Sequence, residues 1–490
     1  MALHSADQDN ELLFAHSHQV EAKREVPHSS LQSPFEILNR YRSQLSHFRG
    51  GELGQSSEVE HLGMERTNRA SPETDVVTAV NIVRMAEMEL SQTGDFTNLA
   101  KAFGFDSRVV HRHADHLKCV LWLLDAAEKY SNRQYDLAEK SVSFVVMDSH
   151  GDHPIERVVA CFARDLRERI YKERGMIDLE REVVHVDLEE ALNDLKSSIH
   201  LCEQKLPICQ ITHFTGIQTI VDTVASAERI HFIDIGRKLG SHWILLIDAL
   251  ANRKDCRLEQ LKITAVCTRE DNVDEAGKLL SSLAESMNFP LVFKMLHSEM
   301  YELEINRVEV EAGEVVVLHL DLCLIYLSPC KKNVECLLRE LKKLNPHVMV
   351  VNDVEADACG STFLDRFKEA LFICSAMFDS QEKCLERGSR FREVLEKLYF
   401  QEIISSGVLG EDDEGFRQCR KIDFWREYFS KFDIVETELS QSSMYQASLM
   451  IRDSPCWSSC TLSMNGKSLL IGWNGIPLRF VSAWKFQNDD

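Results

Sequence analysis

The stretch that most constrains the fold is residues 230–243, IHFIDIGRKLGSHW. Its apolar beginning is typical of a short buried strand, a turn bounded by Gly236 and Gly240 follows, and Ser241 begins an apolar helix. A strand, a glycine-bearing turn and a helix in this order open a doubly wound α/β sheet, and such turns lie where these folds bind ligands. The stretch therefore predicts a Rossmann-like core with a candidate ligand site at its turn.

Strands and amphipathic helices alternate along the chain from residue 208 onwards. The short apolar runs are separated by segments whose apolar residues recur at helical spacing, and they lie at residues 263–267, 291–295, 315–320 and 348–351. This alternation is typical of a mostly parallel sheet that is covered by helices on both faces. We therefore predict an α/β core over residues 208–490.

The C-terminal segment predicts antiparallel strands. Residues 431–437 indicate one strand, and two Asn-Gly pairs follow, Asn465-Gly466 and Asn474-Gly475. Asn-Gly between apolar runs is the strongest short-range signal for a hairpin. A parallel sheet that ends in antiparallel strands resembles a methyltransferase-like Rossmann sheet.

Residues 76–206 have a helical pattern throughout. The clearest helix begins at Pro154 and ends before Gly175. Apolar faces of this kind predict a helical bundle, or cap, that packs against the neighbouring α/β core. The apolar face of the clearest helix consists of Ile155, Val158, Val159, Phe162, Leu166 and Ile170.

The first 74 residues are polar and rich in His, Ser, Gln and Glu, which predicts a disordered tail. One segment differs, because residues 33–45 place Phe35, Leu38, Tyr41 and Leu45 at helical spacing. Two interpretations stay open. The segment is either a short helix that packs on the protein's own core or a partner-binding element that folds on contact.

The charge of the chain bears on its partners. The formal net charge is -22, from 78 acidic against 56 basic residues. An autonomous nucleic-acid binder needs a basic face, so this balance favours protein partners instead. No stretch approaches the ~20 apolar residues of a membrane span, no signal peptide is visible, and the cysteines are expected to be reduced thiols.

The central turn resembles the D-x-G-x-G-x-G turn of S-adenosylmethionine methyltransferases, with Asp234 and Gly240 at matching places. Its middle glycine position holds Lys238, whose side chain would occupy or repel part of the space of a cationic cofactor. A methyltransferase stays open as an alternative, but we predict no catalytic residue, cofactor or metal. The nearby histidines form no nucleophile-and-base arrangement, and lone histidines are more often structural; they are His213, His231 and His242.

The order of motifs resembles the plant GRAS transcriptional regulators from about residue 75 to the C-terminus. The VHIID-type motif is residues 230–234, with His231 and Asp234, and Gly240 and Trp243 follow at the family's spacing. Residues 211–220 resemble the segment that precedes this motif. Residues 120–171 and 261–296 resemble the two leucine-rich regions, and residues 361–380 and 398–405 resemble the PFYRE region. The final SAW-type motif is the closest match, with Trp473, Gly475, Pro477, Ser482, Ala483 and Trp484.

The resemblance implies a Rossmann-like α/β fold with an α-helical cap, and it implies regulation of transcription in a plant nucleus. Members would act mainly through protein–protein contacts with transcription factors and other GRAS proteins, as homo- or heterodimers, with DNA bound mostly indirectly. The motif residues are then structural or interaction residues, and the leucine-rich helices of the cap are the expected interaction surface. Direct sequence-specific DNA binding stays open as a second alternative. No DELLA element occurs, so binding of a gibberellin receptor is not implied.

Overall fold

The computed structural model describes residues 77–91, 103–145, 151–176, 198, 201–236, 241–254, 256–267, 273–324, 331–357, 362–396, 404, 419–454, 456 and 458–487. The predicted tail, with its helix at residues 33–45, lies outside these ranges. Lys238 and Gly240 of the central turn also lie outside them.

One sheet of nine strands forms the centre of the molecule, in the spatial order β3-β2-β1-β4-β5-β9-β8-β7, with β6 also paired to β9. β1 runs parallel to β2 and β4, whereas β5 and β9 are antiparallel. The predicted Rossmann-like, mostly parallel sheet is confirmed, and its strand order reverses between β1 and β4, where such sheets bind ligands. The strands are β1 (Arg229–Gly236), β2 (Gln260–Cys267), β3 (Leu291–His297), β4 (Val315–Asp321), β5 (Val348–Val354), β6 (Ile434–Thr437), β7 (Cys460–Asn465), β8 (Ser468–Trp473) and β9 (Ile476–Phe486).

The N-terminal helices form a cap around a hydrophobic cluster that is distinct from the two clusters on the faces of the sheet. Every residue that the pattern placed on the apolar face of the helix after His153 is buried in this cluster. The predicted helical cap is therefore confirmed. Its helices are α1 (Ala79–Ser91), α2 (Ser107–Arg112), α3 (Ala114–Ser131), α4 (Tyr135–Ser143) and α5 (Pro154–Glu173).

Helices cover both faces of the sheet. Along β1, Ile230 and Phe232 belong to the hydrophobic cluster on one face, whereas Ile233 and Ile235 belong to the cluster on the other. This double burial explains why the strand is a continuous apolar run. The helices of this half are α6 (Pro207–Thr223), α7 (Ser241–Ala251), α8 (Val273–Ser286), α9 (Lys331–Lys342), α10 (Phe363–Cys384), α11 (Arg390–Val394), α12 (Ile422–Ser430) and α13 (Gln441–Asp453).

Helix α10 links the cap to the rest of the chain. Phe367, Leu371 and Phe378 of this helix are buried in the cluster of the cap, where Phe162 of α5 meets Phe367 edge to face. The sequence predicts that α10 has an apolar face but not what the face contacts. A helix from the C-terminal half thus completes the cap.

The C-terminal strands differ from their prediction in one place. The strand expected over residues 431–437 begins only at Ile434, because α12 ends at Ser430 and Asp433 adopts a left-handed conformation with φ 56° in the turn between them. Both predicted hairpins form. Asn474 and Gly475 have positive φ values of 49° and 79°, as a type I′ turn requires, and the twist of this turn matches that of the two strands.

None of the helices described above is long and apolar enough to cross a membrane. The cysteines within those ranges form no disulfide bond in the structure, and the sulfur atoms of Cys384 and Cys456 lie 3.2 Å apart.

The N-terminus of α5 is capped by an imidazole. Nδ1 of His153 accepts a hydrogen bond from the backbone N–H of Ile155 (3.2 Å), and its Nε2 contacts the carbonyl oxygen of Val77 (3.0 Å). Nδ1 can accept only while it is unprotonated, and Nε2 is then the donor. Burial is the main cause that lowers the pKa of His153 to about 4; the nearby His116 and His113 act in the same direction, whereas Val77 and Glu156 act against it.

We expect this cap to make the protein less stable in mild acid. The pKa of His153 is lower in the folded chain than the ~6.5 of an unfolded histidine, so its contribution is complete above pH 6.5 and is lost as the pH falls towards 4. At pH 5 the loss is about 2 kcal/mol. His153→Asn keeps a capping oxygen that does not titrate. Urea unfolding at pH 7 and pH 5 should show a smaller acid loss for His153→Asn than for the unmodified chain, and equal losses would contradict the assignment.

Candidate functional site

A buried polar network lies where β1 ends and α7 begins. The carboxylate of Asp234 accepts three hydrogen bonds: from His319 Nδ1 to Oδ1 (2.9 Å), and from His242 Nε2 (3.0 Å) and Trp243 Nε1 (2.9 Å) to Oδ2. All four side chains are fully buried. Because an indole N–H can only donate, Asp234 is the acceptor at the centre of the network.

The local sequence explains how these groups meet. Asp234 and His319 are cross-strand partners of β1 and β4 and share one face of the sheet. Ser241 begins α7, so His242 and Trp243 lie in its first turn, and the helix N-terminus favours the negative charge of Asp234. The side chain of Asp234 therefore connects the end of β1 to the first turn of α7, the next helix in the chain.

Gly236 of the motif has a structural reason to be glycine. Its φ is 125°, and a Cβ at this position would lie 2.0 Å from the backbone oxygen of Asp321 on β4. Any side chain would therefore separate β1 from β4. The close approach that requires this glycine is between two strands of the protein itself, and it does not depend on a ligand.

The network continues across β4 and β5 beneath α6. Asn352 Nδ2 lies 3.1 Å from His319 Nε2, and the amide fits against Gly216 of α6, where a Cβ would be 2.9 Å from Asn352 Oδ1. His213 Nε2, also from α6, lies 3.6 Å from Asp321 Oδ2. Among the residues that the structure describes, the buried oxygens Asn352 Oδ1 and Asp321 Oδ1 at this edge have no hydrogen-bond partner.

Burial and neighbouring charges set the protonation of this edge. Burial would raise the pKa of Asp321, but the hydrogen bond and charge of His213 outweigh it, so the pKa lies well below its usual range. Burial would lower the pKa of His213, but Asp321 and Glu203 raise it overall. Burial lowers the pKa of His319 despite its contact with Asp234. These shifts favour the charged forms of His213 and Asp321, as a buried pair, and the neutral form of His319.

His231 is not part of this network. It lies three residues before Asp234 on the same strand and therefore faces the opposite side of the sheet. Its Nε2 is 2.8 Å from Thr264 Oγ1, and its Nδ1 is 3.2 Å from Glu314 Oε2. The other carboxylate oxygen of Glu314 pairs with the buried Lys262. The two polar residues of the VHIID-type motif thus lie in separate clusters.

The SAW-type residues lie on the antiparallel strands. Trp473 ends β8, and Ser482, Ala483 and Trp484 lie on β9; all four are fully buried. Trp484 Nε1 donates to Ser482 Oγ (2.8 Å). Ser482 pairs with Val351, next to Asn352, so this motif lies one strand away from the Asp234 network without joining it.

The hairpin before the SAW residues contacts the cap. A Cβ on Gly475 would lie 3.1 Å from Nη2 of Arg84 on α1. Asp379 of α10 accepts hydrogen bonds from the backbone N–H groups of Ala79 (2.9 Å) and Val80 (3.1 Å) and from Asn474 Nδ2 (3.3 Å). One carboxylate therefore ties the start of the cap to the hairpin.

The sequence indicated Asp234 and Trp243 as motif residues, and it placed His213 and His242 nearby as structural histidines. It did not indicate His319, Asp321 or Asn352. A pattern in the sequence could have indicated these three residues, because each follows an apolar run at the carboxyl end of a buried strand. The carboxyl ends of parallel strands meet at one edge of the sheet, where ligands and buried polar groups collect.

Fold and network together define a Rossmann-like α/β protein with a helical cap and an internally bonded strand–turn–helix unit. A family model, the GRAS domain family, matches residues 119–485. The chain therefore belongs to the GRAS family, whose members are plant transcriptional regulators.

Individual relatives agree with this assignment. The chain is 25% identical to the GRAS family protein RAD1 of Medicago truncatula, over 76% of this chain and 73% of that protein. It is 28% identical to Scarecrow-like protein 23 of Arabidopsis thaliana, over 76% of this chain and 91% of that protein. The crystal structure of SCL7 from Oryza sativa is similar in fold, with a TM-score of 0.65 and 23% identity, over 75% of this chain and 99% of that one.

Proposed function

We propose that this chain is a nuclear co-regulator of transcription that acts mainly through protein–protein contacts and has no enzymatic activity. Its partners are transcription factors and other GRAS proteins, with DNA bound mostly indirectly. Membership of the GRAS family supports regulation of transcription, and the net charge of -22 supports protein partners over a bare DNA surface. The inward hydrogen bonds of Asp234 support a turn that serves as scaffold.

The observation that carries the interaction proposal is an exposed apolar patch on the cap. Trp122 of α3 is 40% exposed and Phe144 at the end of α4 is 58% exposed, and their ring centroids are 4.8 Å apart. Leu137, 44% exposed, lies two turns earlier on the same face of α4. Aromatic side chains are enriched at protein interfaces, and tryptophan is enriched among the few residues that carry most of the binding energy. We call these three residues the cap patch.

The cap patch is a smaller surface than the leucine-rich helices predict, and it contains few of their leucines. Most leucines of α3 point into the cap, because Leu117, Leu123 and Leu124 are buried. Of the leucines that the structure describes in α3 and α4, Leu137 is the exposed one. The interaction surface we propose is therefore largely aromatic.

We expect the double variant Trp122→Asp/Phe144→Asp to lose its partners while it keeps its fold. Two charges in place of the aromatic pair should weaken binding at least ~10-fold, because a charge at the centre of an interface is desolvated without compensation. The measurement is a pull-down from plant nuclear extract with quantitative mass spectrometry, after circular dichroism has confirmed the fold.

The matched control is Tyr445→Asp, which puts a charge on an aromatic side chain that is 65% exposed on α13, outside the cap. This control should retain every partner of the unmodified chain. If the double variant retained them as well, the cap patch would not be the interaction surface.

A further inference from the structure

The three side chains at the centre of the buried network have the composition of a transition-metal site. Asp234, His242 and His319 each offer one ligand atom, and these atoms lie within 4.8 Å of one another. Within the described part of the chain, no other three His, Cys, Asp or Glu side chains converge in this way. Two imidazole nitrogens and a carboxylate oxygen suit Zn²⁺, whereas Mg²⁺ and Ca²⁺ prefer oxygen ligands alone.

The surroundings of these side chains resemble the outer contacts of a metal site. Trp243 Nε1 donates to Asp234 Oδ2 and so fixes the plane of the carboxylate. Asn352 Nδ2 lies 3.1 Å from Nε2 of His319, the ring nitrogen that does not contact Asp234. Metal-binding histidines usually bond through their second nitrogen to a neighbouring polar group, which orients the ring.

The amide of Asn352 gives an independent reason to expect a metal. While His319 Nδ1 donates to Asp234, the neutral ring accepts at Nε2 from Asn352 Nδ2, and Asn352 Oδ1 stays buried without a partner. If Nδ1 instead gives its lone pair to a metal, the ring proton moves to Nε2. Asn352 can then turn its Oδ1 to accept that proton, and the unsatisfied oxygen acquires a donor.

The buried charge at this edge points the same way. Asp234 and Asp321 are fully buried carboxylates on the neighbouring strands β1 and β4. Asp321 Oδ1 has no hydrogen-bond partner, and His213 is 3.6 Å from the other oxygen. Because His213 already pairs with Asp321, a divalent cation bound at Asp234 would add positive charge beside the second buried carboxylate.

We propose that Asp234, His242 and His319 bind one Zn²⁺ ion, with water as the fourth ligand, and that the bound ion connects α7 to β1 and β4. Binding is coordination only. Each imidazole stays neutral, its proton moves to the nitrogen that does not bind the metal, and no covalent bond of the protein changes. No metal was expected from the sequence, because the ligands are spread over β1, α7 and β4 without a recognisable spacing.

The first test uses the full chain, treated with EDTA, incubated with ZnCl₂ and separated from free metal by gel filtration. Plasma mass spectrometry should then find about one zinc per chain, and ZnCl₂ should raise the melting temperature of the EDTA-treated protein while MgCl₂ does not. Co²⁺ in place of zinc should give d–d bands without the strong thiolate charge-transfer band, which separates this site from binding to cysteines. Absence of retained zinc together with an unchanged melting temperature overturns the proposal.

The second test compares variants. His242→Gln and His319→Gln should lose the retained zinc, and Asn352→Ala should weaken zinc binding by about 10–100-fold as an outer contact. The matched control is His231→Gln, because His231 is equally buried on β1 but faces Thr264 and Glu314 on the other side of the sheet. Zinc retained in full by both ligand variants contradicts the assignment, and if these variants fail to fold, the unmodified chain in the first test decides.

Discussion

Replacing Asp234 with alanine should destabilise the protein by about 3–5 kcal/mol, because three buried donors lose at once the carboxylate that accepts their hydrogen bonds. The N–H groups of His319, His242 and Trp243 all donate to this carboxylate, and none of the four side chains is exposed to water that could replace it. The substitution also removes the hydrogen bonds that connect α7 and β4 to β1. Urea unfolding of the full chain, with EDTA present so that only hydrogen bonds count, measures the change.

Two controls make this result specific. Asp234→Asn keeps the shape and one acceptor oxygen, so its loss should be smaller than that of alanine. Asp115→Ala removes a carboxylate that is 90% exposed and pairs with Lys118 at 3.2 Å, and it should change stability by less than ~0.5 kcal/mol. If Asp234→Ala changed the unfolding free energy no more than Asp115→Ala, the network would not hold the strand–turn–helix unit together.

The general architecture could be predicted from the sequence because it depends on local patterns. The apolar run that contains Ile233 has to be buried on both faces, and the Asn474-Gly475 pair has to form a tight turn. Each pattern is complete within a few residues. The Rossmann-like sheet, the cap and both hairpins follow from patterns of this kind.

The partners of individual side chains could not be predicted in the same way. His319 bonds to Asp234 across 85 residues of sequence, and nothing near either residue specifies the other. Helix α10 shows an apolar face in its sequence, but only the fold shows that Phe367 packs in the cap. The exposed position of Trp122 and the buried positions of its leucine neighbours likewise depend on which neighbours α3 meets.

Replacing Trp484 of the SAW-type motif with alanine should also have a large effect, a loss of ~3–5 kcal/mol in the stability of the protein. Trp484 is fully buried, its ring meets Phe429 edge to face with centroids 4.9 Å apart, and its indole N–H donates to Ser482 Oγ. It also lies on β9 between Met349 of β5 and Glu436 of β6. Truncation therefore leaves a large cavity at the point where the parallel and antiparallel parts of the sheet join.

Trp122→Ala provides a matched control for this prediction. The same substitution is made, but Trp122 is 40% exposed on the cap, so the cost in stability should stay below ~1 kcal/mol while partner binding falls. Trp484→Ala should instead lower the urea concentration at the midpoint of unfolding. Under conditions in which this variant remains folded, it should still bind the partners. Thermal and urea unfolding of both variants measure this contrast. A Trp484→Ala chain as stable as Trp122→Ala would contradict the structural role of Trp484, because a cavity of that size within the sheet should lower stability.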